Sequence, residues 1–238
     1  MAGFKRVVVT GIGGISSLGD DWASISSNFF NNRSGIRRMP EWDRYEDMNT
    51  RLGGPIDGFQ VPSHWSRKQL RSMSPVSQYS VYAAERALQD AGLLDDESIR
   101  DGRMGVACGS STGSPQEVKV FGNMLLNSVA HGLNANSYVR MMPHTTAANI
   151  SIFFGLKGRV IPTSSACTSG SQGIGYAYEA IKFGRIPMML AGGAEELCAT
   201  EAMVFDALYA TSLKNDEPHR TPRPYEQDRD GLVIGAGA

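Results

Sequence analysis

The chain has 238 residues, 41% of them apolar and 20% charged, with a formal net charge of −1. That length allows one large α/β domain or two small ones with a real core. The near-neutral charge leaves no global electrostatic case for nucleic acid or for an anionic membrane. Three cysteines (Cys108, Cys167 and Cys198) lie far apart with no C-x-x-C pair. They read as reduced thiols of a cytoplasmic protein, without a disulfide frame or a zinc site. The start runs straight into Arg6-Val7-Val8-Val9 with no long apolar leader, so no signal peptide is read. No apolar run approaches the ~18 residues of a membrane helix.

Arg6–Thr10 is a β-branched run before Gly11-Ile12-Gly13-Gly14, which predicts a strand and a tight turn. Asp20 is a candidate cap for a helix over Trp22–Phe30, closing near Gly35. Residues 36–66 carry Pro40, Gly53-Gly54-Pro55, Gly58 and Pro62 and read as a long irregular surface excursion, extending with the turn that follows it to about residue 75. Ser74-Pro75 opens a helix to Ala91, with Val76, Tyr79, Ala83, Ala87 and Ala91 on one stripe and Gly92 as its stop. Met104–Cys108 reads as a buried strand, 115–157 as a helical Met/Asn-rich insertion, and Val160–Ser165 as another strand. Ile174, Ala177, Tyr178 and Ile181 recur at helical spacing before Gly184, and Met188–Ala191 is a further buried strand. Strands alternating with helices predict a parallel sheet. The apolar run Gly231–Ala238 reads as a strand cut off without a polar tail, which leads to the expectation that a further segment belongs after Ala238.

Cys167 falls where the Val160–Ser165 strand turns into the next helix, in Ser164-Ser165-Ala166-Cys167-Thr168-Ser169-Gly170. A cysteine there can be a small core residue. Small residues after it leave room for a substrate, and the N–H groups and positive dipole end of a helix start favour a thiolate. An unperturbed thiol near pKa ~8.5 is roughly 3% ionised at pH 7, and about 2 kcal/mol of differential stabilisation would make it half ionised.

These segments resemble the β-ketoacyl-acyl-carrier-protein synthases, elongating condensing enzymes of the thiolase superfamily. Val8-Val9-Thr10-Gly11-Ile12-Gly13 resembles the family's opening strand, and Ser34-Gly35-Ile36 the S-G-I after its first helix. Gly105–Ser110 resembles its next core strand, and Ser165–Gly170 its active-site elbow. Ala191-Gly192-Gly193-Ala194-Glu195-Glu196 and Arg223-Pro224-Tyr225 through Asp228-Arg229-Asp230-Gly231 resemble the two landmarks after the elbow. The resemblance covers essentially the whole chain. It implies a thiolase-like layered α-β-α-β-α fold, of which residues 1–238 form the first half and the start of the second. The C-terminal half of the family's domain is then absent from this sequence.

The resemblance further implies that Cys167 accepts an acyl group from the phosphopantetheine of an acyl carrier protein. A malonyl-carrier thioester would then lose CO2 and condense with that acyl group. Thr112 matches a position that gates acyl depth, Phe205 a pocket-lining aromatic, and Arg67, Lys68 and Arg71 the basic residues that dock the acidic carrier. Met141 and Met142 are candidates for the pocket across a dimer interface, or adaptable core. No bound cofactor or metal is implied. The expected partners are the carrier protein and a second ketosynthase subunit, as a homodimer or with a chain-length factor. The family's two catalytic histidines, lysine and glutamate are not matched here, and His64, His131, His144 and His219 take no such role. The chain by itself is therefore expected to be acylated without condensing.

The sequence also admits other readings. A chain-length-factor-like non-catalytic subunit is opposed by the presence of Cys167, whereas a truncated fragment acting only as an interaction module stays open. A short-chain dehydrogenase is suggested by Thr10-Gly11 and by Tyr178 and Lys182 four residues apart. The nucleotide loop fails, because a G-x-G-x-x-G from Gly11 meets Ser16.

Overall fold

The computed structural model describes residues 3–238. In chain order its main elements are helix α1 (Trp22–Phe30), the short strands β1 (Arg37–Arg38) and β2 (Leu52–Gly53), helices α2 (Arg67–Leu70) and α3 (Pro75–Asp90), and strand β3 (Met104–Gly109). Helices α4 (Pro115–Asn127), α5 (Ala135–Met141) and α6 (Thr145–Phe154) follow, then strand β4 (Val160–Pro162), helix α7 (Ser169–Lys182), strand β5 (Met188–Gly193) and helix α8 (Ala199–Ala207). The chain divides into two units. One takes the segment up to Gly14, Gln60–Glu195 and Ala238; the other takes Ile15–Phe59 and Glu196–Gly237.

The first unit is built on β3. Its six uncharged residues are all buried, because a strand flanked on both sides within a parallel sheet has neither edge nor face in water. β4 and β5 pair with it in parallel, giving the order β4-β3-β5. The register sets Ala107 beside Ile161 on one side and Ala191 on the other. Helices α6 and α7 pack on this sheet and α3 packs on α6. α3 starts at Ser74 with Pro75 in its first turn, and ends at Ala91 before Gly92 in the left-handed region. Its buried face is broader than the expected stripe, taking in Ser77, Ser80, Ala84 and Leu88.

Several expectations are corrected. No strand forms over Arg6–Thr10. A β-branched run becomes a strand only when its backbone groups find a ladder, and here Val8 and Val9 are exposed. Only part of the stripe on α7 faces the core. Ala177, Ala180 and Gly173 are buried, whereas Ile174 and Tyr178 are exposed and line an apolar cavity of about 590 Å³ with Val8, Ala87 and Leu190. Small residues win the sheet-facing side of α7 because the helix lies too close to β3 and β5 for a larger side chain. A methyl built on Gly173 would lie 2.6 Å from the Ala107 carbonyl and 3.0 Å from that of Gly192.

In the second unit, helix α1 is capped by Asp21, not Asp20: its Oδ1 accepts from the Ser24 N–H at 2.8 Å. Residues 36–59, expected as irregular surface, supply β1 and β2, which pair antiparallel, and bury Met39, Trp42 and Met48 against Ala202 of α8. Gly231–Ala238 forms only isolated bridges, Leu232 to Thr211, Gly235 to Gly54 and Gly237 to Ser16.

The buried carboxylate of Asp206 ties this unit together. It accepts from the Asn49 N–H (2.7 Å), the Asn49 amide (3.0 Å), the Thr50 N–H (3.1 Å) and the Thr211 hydroxyl (2.8 Å). Burial pushes its pKa up, but these bonds outweigh it and hold the carboxyl below the usual range. Asp230 is held low in the same way, by the Leu213 N–H, Ser212 and Lys214 against the effect of burial.

Two tests follow from this packing. Gly173→Ala should lower stability by about 1–3 kcal/mol, whereas Gly175→Ala, on the open side of α7 with nothing within 4 Å, should raise it by about 0.5–1 kcal/mol. Denaturant midpoints decide both. Because the folded-state pKa of Asp206 is depressed, its contribution is complete above its unfolded value of about 4 and is lost as pH falls below it. The acid-side loss of stability, followed by circular dichroism, should be shallower in Asp206→Asn, which starts less stable at neutral pH.

Candidate active site

β3, β4 and β5 run parallel, so the loops that follow them emerge at one end of the sheet. In open parallel sheets this carboxyl end is where ligands sit. The loop after β4 carries Cys167, the loop after β3 carries Thr112, and the segment after β5 carries Glu195. The loops also touch. The Ala194 N–H donates to the Gly109 carbonyl at 3.0 Å, and a methyl on Gly193 would lie 2.9 Å from Gly170 Cα in the first turn of α7.

Cys167 is exposed. It stands two residues before Ser169, the first residue of α7, on a turn outside the helix. β4 is shorter than the predicted strand and ends at Pro162, so a six-residue turn joins it to α7. Hydroxyls hold that turn. The Ser169 hydroxyl donates to the Ala166 carbonyl at 2.6 Å and accepts from the Ser165 N–H at 2.9 Å. Thr163 Oγ1 donates to the Ser169 carbonyl at 2.9 Å, and Thr168 Oγ1 to the Ser165 carbonyl at 2.8 Å. Between these bonds Ala166 is held at φ +54°, a left-handed conformation costing a residue with a side chain about 1–2 kcal/mol. Thr168 uses its hydroxyl backward and gives no side-chain cap to α7, so the first amides of the helix have no such acceptor.

Cys108 is the contrasting thiol. It lies on β3, the middle strand of the sheet, and burial pushes its pKa up to about 11 against weaker opposing bonds from Thr146 and the Gly109 backbone.

Thr112 is exposed on the loop after β3, and its hydroxyl donates to Glu195 Oε1 at 3.2 Å. Met141 ends α5, and its carbonyl accepts from the Ser114 N–H at 3.2 Å. Phe205 lies on α8 in the second unit, half-buried. Arg67 and Lys68 are exposed on α2 and Arg71 is its exposed C-cap. Among the described residues none of the three forms an ion pair.

The basic segment is well anchored. A capping box between Ser66 and Gln69 starts α2. Trp65 is buried and its indole N–H donates to Glu85 of α3 at 3.3 Å, while the other Glu85 oxygen meets His64 at 2.7 Å. Arg140 Nε donates to the Arg71 carbonyl at 3.1 Å. Sequence reasoning missed the hydroxyl mesh of the elbow, the Glu85 anchor and the bonds of Glu195. In the sequence the serines and threonines signal only small size, and nothing in the spacing marks a carboxylate that bonds across the sheet.

The two thiols should differ in accessibility. Iodoacetamide on the native protein should label Cys167 and spare Cys108, and unfolding should expose Cys108 to the reagent; peptide mass spectrometry reads both.

The chain matches the family model described as beta-ketoacyl synthase, N-terminal domain, over residues 4–238. It is 35% identical to the 3-oxoacyl-[acyl-carrier-protein] synthase 2 of Vibrio cholerae, over 98% of this chain and 56% of that protein. Its fold superposes on the crystal structure of a beta-ketoacyl synthase from Burkholderia phymatum with TM-score 0.94 and 56% identity, over 98% of this chain and 58% of that one. It also superposes on a type II PKS acyl-carrier protein in complex with its ketosynthase bound to the hexaketide, with TM-score 0.79 and 28% identity, over 98% of this chain and 56% of that one. The chain thus spans a little over half the length of the relatives it matches. The parallel sheet, the elbow that carries Cys167 and the match over nearly every residue agree: the chain belongs to the beta-ketoacyl synthase family and has its thiolase-like α/β fold, as the N-terminal domain.

Proposed function

We propose that this chain supplies the acyl-accepting nucleophile of a β-ketoacyl-carrier-protein synthase acting in the cytoplasm in fatty acid or polyketide synthesis. One observation carries the proposal: an exposed cysteine on a hydroxyl-locked turn at the head of α7, at the carboxyl end of a parallel sheet. The Cys167 thiolate attacks the thioester carbonyl of an acyl chain carried on phosphopantetheine. The Cys167 N–H helps to hold the resulting oxyanion, and the carrier thiol leaves with a proton. In the whole enzyme, a malonyl-carrier thioester then loses CO2 and its carbanion attacks the acyl carbonyl, freeing Cys167 and lengthening the chain by two carbons. Thr112 and Phe205 are proposed to line the acyl site.

Carrier docking falls to Arg67, Lys68 and Arg71, three exposed cations on an anchored helix that suit an acidic partner. The carrier-protein complex among the structural relatives supports the partner's chemistry. A second ketosynthase subunit, identical or a chain-length factor, is the proposed assembly. Cys167 favours the active role over that of a non-catalytic partner.

Incubation with acyl-carrier thioesters should add one acyl mass to the protein, lost in Cys167→Ala. An unmodified wild type would support the non-catalytic reading instead. Reversing all three charges, as R67E/K68E/R71E, should raise the KM for the carrier thioester by about tenfold or more and leave acylation by a small soluble thioester unchanged. Equal loss with both donors would remove the docking role.

A further inference from the structure

Glu195 stands just beyond β5, and the β3–β5 register continues past Gly109 and Gly193 to bring it opposite the loop after β3. Four donors from three consecutive residues converge on its carboxylate. Ser110 Oγ donates at 2.7 Å, the Ser111 N–H at 2.6 Å, the Thr112 N–H at 3.4 Å and Thr112 Oγ1 at 3.2 Å. Ser110 is 1% exposed, and its hydroxyl oxygen also accepts from the Gly113 N–H at 2.9 Å, closing the turn. On its other flank the loop is held by the Ser114 N–H bond to Met141. At Gly113, φ is +73° and a side chain would run into the Met141 carbonyl.

A carboxylate accepts at up to about four lone-pair positions, so Glu195 is largely used up by this one loop. A threonine whose hydroxyl is committed to a fixed acceptor keeps one χ1, and its methyl group then has one place. The loop lies at the same end of the sheet as Cys167, beside the turn after β4: a methyl built on Gly109 would lie 2.7 Å from the Thr163 backbone. Whatever Thr112 presents to a bound chain is therefore set by Glu195.

We propose that Glu195 is a positioning residue that sets the acyl-chain preference of this site by fixing Thr112. The inference rests on the reading of Thr112 as part of the acyl-site wall. It adds that the selectivity resides in a carboxylate–loop clamp and not in the threonine's size alone.

The test is Cys167 acylation by a series of straight-chain acyl thioesters from short to long, on wild type, Glu195→Gln, Thr112→Val and Thr112→Ile. Thr112→Val keeps the shape and removes the hydroxyl that reaches Glu195, so it probes the clamp even if Glu195→Gln folds poorly. The expected result is a change of about tenfold in the long-to-short rate ratio in both Glu195→Gln and Thr112→Val, the scale on which one methylene is discriminated. The double variant should shift no further than either single one, because both break the same contact. Iodoacetamide labelling of Cys167 monitors the elbow separately. An unchanged ratio in Glu195→Gln and Thr112→Val, or a uniform loss across all chain lengths, overturns the inference. A shift in Thr112→Ile alone keeps the wall reading and removes the clamp. No shift in Thr112→Ile removes the wall reading itself.

Discussion

The site depends on β3 being paired on both sides in parallel. Once Met104–Gly109 is seated between β4 and β5, three chain segments far apart in sequence must leave the sheet at one end. The elbow with Cys167, the loop with Thr112 and the segment with Glu195 are neighbours for that reason. The pairing also demands small residues. Gly173 is tolerated because its helix lies against the Ala107 and Gly192 carbonyls, and Gly170 and Gly193 let the first turn of α7 approach the end of β5.

Polar side chains do much of the local fixing, in two chemical styles. At the elbow, neutral hydroxyls of Thr163, Thr168 and Ser169 hold the strained turn that carries Cys167. Elsewhere carboxylates gather backbone and hydroxyl donors. Asp206 gathers Asn49, Thr50 and Thr211 in the second unit, and Glu195 gathers Ser110–Thr112 in the first. A buried or half-buried carboxylate is stable only with several donors, so each one orders a whole loop.

Much of this was legible beforehand. α3 begins at Ser74-Pro75 and stops at Gly92 as its punctuation indicates, β3 and β5 fall on the apolar runs, and helices α4, α5 and α6 lie within 115–157. The failures share a cause. Arg6–Thr10 has strand composition without a ladder. Of the α7 stripe Ala177 is buried while Ile174 and Tyr178 line a cavity, because close sheet packing gives the inward side of α7 to Gly173, Ala177 and Ala180. Residues 36–59 look irregular because their regular pieces are two residues long, yet Trp42 and Met48 form a core with α8, which lies far away in sequence.

By itself the sequence determined the family and the alternation of strands and helices and singled out Cys167 as the proposed nucleophile, since these rest on local composition and ordered motifs. Tertiary structure alone decided which thiol is reachable, with Cys108 sealed inside the sheet and Cys167 exposed on its rim. It also decided which carboxylates became anchors, Glu85, Glu195 and Asp206. The reason is physical: accessibility and hydrogen-bond partnership are set by what the fold brings within about 3 Å, and residues 84 positions apart, such as Ser111 and Glu195, carry no mark of that meeting in the order of the chain.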